Sequence, residues 1–384
     1  MILYLSTADD GGIAQYTIEQ VNALEKSGIP VTVLCSDRFP AERLRCSRVI
    51  STLPASEFKA SRGGRLMARI IKFRKIAREA YKLNATSSRF DYILIDCFME
   101  YFSVFWFGPY QRLSRMGIPI GVIAHDPVRN LLVGPRWWHD LSIRLAYSFV
   151  RDVFVHDAAS IDFGGSKPDR IRITEIPHGT YFESYLNYDP ADSRRQTRSR
   201  LNIQMSDLVF LSFGHIRDDK NLDLFIRSMP RLDRKIRLLV AGKVNSQFQK
   251  SADYYQRLAE DLEVSDRCHW ILKYIPDEEI PSIFSAADYA LLLYSKSFLS
   301  ASGVLNSAAA FDLPVLASGG TGPLSKCLQE FNLGIWINEL TEDNIVSGVN
   351  QLVEGGKFED FSKYRKANSW ARNANLVKEA IQKP

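Results

Sequence analysis

Leu208-Val209-Phe210-Leu211-Ser212-Phe213-Gly214-His215-Ile216-Arg217-Asp218-Asp219-Lys220-Asn221 runs from an apolar stretch through a glycine into a charged loop. A short continuous apolar run predicts a buried parallel strand, and a glycine at its end predicts a sharp exit into a loop. Its place in the chain matters as much as its content. Just before it lies the polar stretch 187–200, Asn187 to Arg200, which contains Ser193-Arg194-Arg195-Gln196-Thr197-Arg198-Ser199-Arg200. On both sides of that stretch apolar runs alternate with helical segments. The earlier runs are Ile2–Ser6, Val31–Cys35, Tyr92–Asp96, Ile118–Ala124, Val153–His156 and Ile171–Ile176. The later ones are Leu208–Phe213, Ile236–Ala241, His269–Leu272, Tyr289–Leu293, Pro314–Ala317 and Gly334–Ile337. The pattern predicts an α/β chain of two doubly wound parallel-sheet domains, 1–187 and 200–360, whose ligands bind in the loops at the carboxyl ends of the strands. The segment 361–384 reads as helical and is able to pack back on the first domain.

Composition supports a globular reading. At 384 residues, 46% hydrophobic and 24% charged, with 22 Gly and 16 Pro, the chain is neither disordered nor fibrous. Its five cysteines, Cys35, Cys46, Cys97, Cys268 and Cys327, are scattered and never form C-x-x-C, which argues against a disulfide framework or zinc ribbon. They are expected to be reduced core thiols of a cytoplasmic protein. Met1-Ile2-Leu3-Tyr4-Leu5-Ser6 lacks the basic start of a signal peptide, and no apolar run approaches the ~20 residues that span a bilayer. The net charge of +5 is mild and does not point to nucleic acid. Its distribution is uneven: Arg62, Arg65, Arg69, Lys72, Arg74, Lys75, Arg78 and Lys82 face only Glu79, with Leu66, Ile70, Phe73 and Ala77 at helical spacing. Residues 62–82 therefore predict a basic amphipathic helix, suited to an anionic membrane surface or simply solvated on one face of a packed helix.

Five loops carry candidate chemistry. In Ser6-Thr7-Ala8-Asp9-Asp10-Gly11-Gly12-Ile13, paired glycines at a helix start let the backbone approach an anion, although a tight turn would also need them. The third glycine of a dinucleotide fingerprint is missing, which speaks against a nicotinamide dehydrogenase. After Gly214, Arg217 and Lys220 aim a planar fork and a point charge where a diphosphate would sit, unless Asp218 and Asp219 neutralise them. At Ser300-Ala301-Ser302-Gly303-Val304-Leu305, a small-residue loop opens an apolar helix, so the hydroxyls either cap it or hold a ligand. His125 and His178 each follow an apolar run, as ligand contacts or as plain turn residues. H-E-x-x-H, P-loop, G-x-S-x-G and Asp-x-Asp patterns are all missing, so a departing diphosphate would have to be neutralised by Arg, Lys and helix dipoles.

The order Gly11-Gly12-Ile13-Ala14, His125-Asp126, Ile176-Pro177-His178-Gly179, Phe213-Gly214…Arg217…Lys220 and Ser302-Gly303…Leu313-Pro314-Val315 resembles GT-B glycosyltransferases of family four, the group 1 type, over nearly the whole chain. The resemblance implies two Rossmann-like domains facing across a cleft. It implies retaining, metal-independent transfer from a nucleotide-sugar, UDP- or GDP-linked, to a hydroxyl of a glycan or lipid-linked acceptor, with no cofactor, in surface polysaccharide assembly. By the same resemblance Arg217 and Lys220 hold the donor diphosphate, Gly11, Gly12 and Gly214 lie beside the donor, and His125 contacts the sugar. Ser302, Gly303, Val304 and Leu305 meet the distal phosphate, the base lies near Lys243 and Tyr274, and His178 and Arg129 lie on the acceptor side. The protein would work in the cytoplasm, at the inner face of the membrane through 62–82. One departure stands out. The family's two glutamates, seven residues apart, fall here on Leu299 and Ser307. Losing a charge-assisted ribose contact of about 1.5–3 kcal/mol weakens donor binding roughly 10- to 100-fold. The alternatives are a non-catalytic subunit of the same architecture, binding a glycan or a partner transferase, and a sugar-nucleotide epimerase.

Overall fold

The computed structural model describes residues 1–9, 11–53, 62–86, 90–96, 99–125, 134–156, 161–165, 167–181, 189–244, 249–355 and 361–383. It divides into two compact units, Met1–Gly179 with Asn368–Pro384, and Thr180–Ala367. In the first, strands β1 (Ile2–Leu5), β2 (Val31–Ser36), β3 (Arg48–Leu53), β4 (Tyr92–Ile95), β5 (Ile120–Ala124), β6 (Asp152–Val155) and β7 (Arg172–Glu175) form one sheet in the order β3-β2-β1-β4-β5-β6-β7. In the second, β8 (Leu208–Phe213), β9 (Ile236–Ala241), β10 (Cys268–Ile271), β11 (Tyr289–Leu293), β12 (Val315–Ser318) and β13 (Gly334–Ile337) take the order β10-β9-β8-β11-β12-β13. Every pairing is parallel. Both sheets start in the middle and wind outward in both directions, so each has a switch point, beside β1 and beside β8, where loops diverge and a ligand can enter.

The apolar runs become strands because both faces are covered. β1, β2, β4, β5 and β6 are buried along their whole length. Each fully buried aliphatic side chain contributes about 1.5–3 kcal/mol, which is why uninterrupted Ile, Leu and Val serve here where alternation would not. Edge strand β3, with Arg48, Ser51 and Thr52, carries no such run and escapes the pattern.

The polar stretch expected as the join is different. Residues Pro190–Arg200 form a helix, capped by the Asp189 carboxylate on the Ala191 and Asp192 amides. It belongs to the second unit because Arg198, fully buried, donates to the carbonyls of Ala286 and Asp207 (both 2.9 Å) and to Asp288 (2.6 Å). A buried guanidinium with its donors filled holds a segment that has little apolar surface of its own.

The segment 361–384 holds two helices. Phe361–Ala367 stays with the second unit, where the Tyr364 hydroxyl donates to Asn306 Oδ1 at 2.7 Å. Trp370–Gln382 returns to the first unit and buries Ala374, Val377 and Ala380 beside the helix Gly11–Lys26. Its Asn373 sits fully buried, accepting from Gln20 at 2.8 Å and donating to the Pro177 carbonyl at 2.8 Å and the Tyr16 hydroxyl at 3.0 Å. Trp370 fills the space over Gly179, where a Cβ would come within 2.2 Å of the indole.

Of the cysteines, Cys35 and Cys268 are buried thiols as expected, whereas Cys46 and Cys327 are only half-buried; none of these four is in a disulfide, and Cys97 lies outside the described residues. No helix among the described residues is long and apolar enough to cross a membrane.

Candidate functional site

In the second unit the β8 strand ends at Gly214, whose φ of +88° only glycine adopts without strain. The neighbouring β9 strand ends at Gly242, where a Cβ would lie 1.9 Å from the Gly214 carbonyl oxygen. Two glycines therefore let two strand exits touch. The loops then run together, with the Ile216 amide donating to the Lys243 carbonyl at 2.9 Å. Lys243 and Tyr274, expected together near the base, do meet: Lys243 Nζ lies 5.5 Å over the ring of half-exposed Tyr274.

Arg217 and Lys220 stand on the same loop. The half-buried Lys220 ammonium folds back to donate to the Phe213 carbonyl, and a Cβ at Gly214 would sit 3.5 Å from it. Burial, and then the Arg217 charge, push Lys220 down to about 7, with Asp219 pulling the other way. Of the two acids expected to neutralise the loop, only Asp219 faces Arg217: Oδ1 lies 3.2 Å from Nε, an ion pair too poorly aligned for a hydrogen bond. Asp218 is turned away, accepting from the Lys250 amide at 2.9 Å and the Tyr255 hydroxyl at 3.3 Å. Two cations against one misaligned acid leave a site with a net appetite for anions.

Beside it begins the helix Gly303–Ala310. The Ser302 hydroxyl caps it: buried, it accepts from the Leu305 amide (3.3 Å) and meets the Tyr294 hydroxyl (3.2 Å). Leu305 is 1% exposed with its amide so engaged, which puts its side chain in the core and leaves Gly303 and Val304 as the turn's open end. Ser307 is buried on the same helix and donates to the Gly303 carbonyl at 3.2 Å, so its hydroxyl is no stand-in for a carboxylate. Leu299 crowds the 319–322 turn, its backbone within 2.8 Å of where a Cβ on Gly322 would be. A pocket of about 370 Å³ opens at the ends of β8, β11, β12 and β13, lined by Asn221, Tyr294, Ser295, Lys296, Ser318 and Glu339 among others.

In the first unit, Gly11 starts the helix Gly11–Lys26 with φ +76°, and open space surrounds both it and Gly12. His125 stands at the end of β5 with 18% of its side chain exposed, and both its nitrogens have protein partners. Nε2 lies 3.1 Å from Asp96 Oδ1, and Nδ1 lies 3.4 Å from His156 Nε2. Asp96, fully buried at the end of β4, also takes the Thr17 and Ser6 hydroxyls. Tyr16 stands edge-on to His125, His156 and His178, with centroids 4.5, 5.7 and 5.3 Å away. Burial, with His125 as the second cause, pushes His178 down to about 4; burial, His178 and His125 push His156 well below the usual histidine range. Asp96, His156, Thr17 and Ser6 were not singled out in the sequence, yet a signal was there: Ser6, Asp96, His125 and His156 each follow an apolar strand run as its first polar residue. Arg129 lies outside the described residues. No group of three His, Cys, Asp or Glu that would hold a metal occurs among the described residues.

The predicted basic helix exists as Arg62–Thr86. Phe73, Ile76, Ala77 and Ala80 are buried, while Arg69, Arg74, Arg78 and Lys82 are exposed with Met67, Ile71 and Tyr81. Lys72 departs from the expected basic face: it is turned inward and paired with Asp9 at 2.6 Å.

Two all-parallel α/β units, each with its loops at a sheet switch point, define the GT-B class. Residues 10–180 match the family model described as Glycosyltransferase Family 4, and residues 193–375 match Glycosyl transferases group 1. Together the two models take in nearly the whole chain, and the protein belongs to this glycosyltransferase family. HepE of Anabaena, crystallised with UDP and glucose, superposes with a TM-score of 0.74 at 14% identity, covering 100% of this chain and 99% of that one. WaaG, a glycosyltransferase involved in lipopolysaccharide biosynthesis, gives 0.62 at 18% identity, covering 99% and 98%. In sequence the chain is 28% identical over 175 residues to D-inositol 3-phosphate glycosyltransferase of Nocardia farcinica (strain IFM 10152). That match takes in 44% of this chain and 37% of the length of the relative.

Proposed function

We propose that the protein transfers a sugar, with retention and without a metal ion, from a UDP- or GDP-sugar to a hydroxyl of a glycan or lipid-linked acceptor. The observation that carries this reading is the cationic loop Arg217–Lys220, set on a glycine-built strand exit and next to the open end of the helix Gly303–Ala310. As the bond from the sugar's anomeric carbon to the diphosphate breaks, the electron pair leaves on a phosphate oxygen. Arg217, Lys220 and the Gly303 and Val304 amides offer donors for it, each charge-assisted bond worth about 1.5–3 kcal/mol. The acceptor oxygen attacks from the same face, and its proton passes to the departing phosphate. A kinship with proteins bound to UDP and glucose, or concerned with lipopolysaccharide, favours a sugar nucleotide and surface polysaccharide assembly. Exposed Arg69, Arg74, Arg78 and Lys82 beside Met67, Ile71 and Tyr81 favour peripheral contact with an anionic membrane at its cytoplasmic face, at about 1 kcal/mol per basic residue.

A second reading, a non-catalytic subunit that binds a glycan or a partner transferase, is favoured by one observation: Leu299 and the inward-turned Ser307 hold the places of the paired glutamates. Calorimetric titration with UDP, GDP, dTDP, ADP and CMP separates the two. Transfer predicts micromolar binding of one nucleotide, weakened tenfold or more in both Arg217→Ala and Lys220→Ala. Binding of none tighter than about millimolar, roughly −4 kcal/mol, would favour the second reading.

A further inference from the structure

Three polar links run in a row through the first unit. Asp96 Oδ1 meets His125 Nε2 at 3.1 Å, His125 Nδ1 meets His156 Nε2 at 3.4 Å, and His156 Nδ1 meets the Ile176 carbonyl at 3.0 Å. Both ends of the row only accept: one is a carboxylate, already taking the Thr17 and Ser6 hydroxyls on its other oxygen, the other a peptide oxygen. Each link needs one proton. Filling three links therefore takes three protons, whereas two neutral imidazoles bring two.

The place of the third proton follows from the surroundings. His156 stands half-buried, where desolvation and the two other imidazoles beside it disfavour its charged form, so it carries a single proton, which must lie on Nδ1 to satisfy the Ile176 carbonyl. Its Nε2 is then an acceptor and takes the Nδ1 proton of His125. The opposite nitrogen of His125 faces the Asp96 carboxylate, so it also carries a proton. His178, whose ring centroid lies 4.9 Å from that of His156, Tyr16 from the helix Gly11–Lys26 and Tyr4 from β1 are the other titratable groups that crowd this row; burial and the His125 charge push His178 down to about 4, and burial pushes both hydroxyls up, leaving all three neutral.

We propose that Asp96 is the positioning residue of His125: it holds the ring at Nε2 while His156 holds Nδ1, so that the imidazole stands at the end of β5 as a doubly protonated cation. The functional consequence rests on the transfer reading above. With both nitrogens engaged, His125 is no base for the acceptor hydroxyl, which agrees with a proton that leaves on the departing phosphate. It contributes a fixed positive charge in place of proton transfer.

The test reads the imidazoles directly. Long-range proton–nitrogen spectra of nitrogen-15-labelled protein at pH 7.5, with no nucleotide present, show which ring nitrogens carry protons. One doubly protonated ring is expected, assigned by its loss in His125→Gln. Asp96→Asn should leave that ring neutral with its proton on Nδ1, because the carboxamide donates to Nε2 and so keeps the geometry without the charge. A neutral His125 in the wild type, or a ring unchanged by Asp96→Asn, overturns the proposal. Should Asp96→Asn fail to fold, His156→Gln decides, since the Gln carbonyl accepts from Nδ1: a retained double proton supports Asp96 as the holder, and its loss overturns it. With UDP-glucose as the donor probe, Asp96→Asn is expected to lower kcat tenfold or more with KM within twofold; an unchanged kcat in folded protein overturns the positioning role. A wild type that turns over no sugar nucleotide defeats the transfer reading, while the nitrogen spectra still decide whether His125 carries the second proton.

Discussion

The second unit gathers its charge on one loop, and the first assembles it from the ends of neighbouring strands. Arg217, Asp219 and Lys220 lie within four positions of one another, half-buried and imperfectly paired. Asp96, His125 and His156 are about thirty positions apart, linked end to end, and joined only because β4, β5 and β6 stand side by side. The contrast separates two ways of building a polar site. A loop site keeps its charges short of partners, ready for a ligand; a strand-end site satisfies them internally and presents a fixed result.

The strongest way to break this comparison is to disable one unit alone. Arg198→Met removes the buried guanidinium that ties Pro190–Arg200 into the second unit, leaving the Ala286 and Asp207 carbonyls without this donor and Asp288 with Arg194 and the Val209 amide alone, at an expected cost of about 3 kcal/mol. Denaturant unfolding followed by hydrogen exchange should show the loss in the second unit, with amides of the first unaffected; equal loss in both would deny that the units are separately stabilised.

A smaller effect contrasts the glycines. Gly242→Ala drives a methyl into the Gly214 carbonyl at φ +155°, which costs at least about 1–3 kcal/mol and should abolish nucleotide binding. Gly12→Ala meets open space and should stay within about 0.5 kcal/mol of the wild type. Thermal melts and the calorimetric titration read both.

The two sites should also answer to different pH ranges. His178 titrates near 6.5 when unfolded and at about 4 when folded, so between those values the unfolded chain binds more protons and the first unit loses stability as pH falls. His156 adds to the same slope, so His178→Phe should lessen the dependence of unfolding free energy on pH across that interval by one proton's worth; an unchanged slope would mean that the ring is not held neutral. Lys220 falls from 10.5 to about 7 on folding, so the second unit gains stability as pH rises between those values, and Lys220→Met should remove that gain. The gentlest prediction follows from the same amine. A bound diphosphate draws the proton back, so titrations near pH 8 in buffers of different ionisation enthalpy should show net proton uptake that Lys220→Met lacks.

The sheets were legible because a strand covered on both faces runs largely apolar, as β1, β4, β5 and β12 do, and apolar stretches mark even β7, β10 and β13, which are only partly buried. β3 was not, since an edge strand tolerates Arg48 and Ser51. The helix Pro190–Arg200 was hidden for the opposite reason: it is anchored by a buried guanidinium, and no hydropathy pattern records that. At the site, Arg217 and Lys220 could be read because a short loop keeps its residues adjacent in sequence. Asp96 and His156 show in sequence only as polar residues that close a strand run, because their joint meaning depends on which strands become neighbours. The Ser302 hydroxyl left two roles open in sequence, and its distance to the Leu305 amide brings out the capping one.

The return of Trp370–Gln382 to the first unit has a consequence for how the chain is made. Thr180–Ala367 is continuous, and a ribosome has delivered all of it before the last helix emerges. The first unit, begun at Met1, waits for Asn373 to reach Gln20 and Tyr16 and for Trp370 to cover Gly179. The half of the protein synthesised first is thus the half completed last, and a nascent chain stalled short of Asn368 would hold a finished second unit behind an open first one.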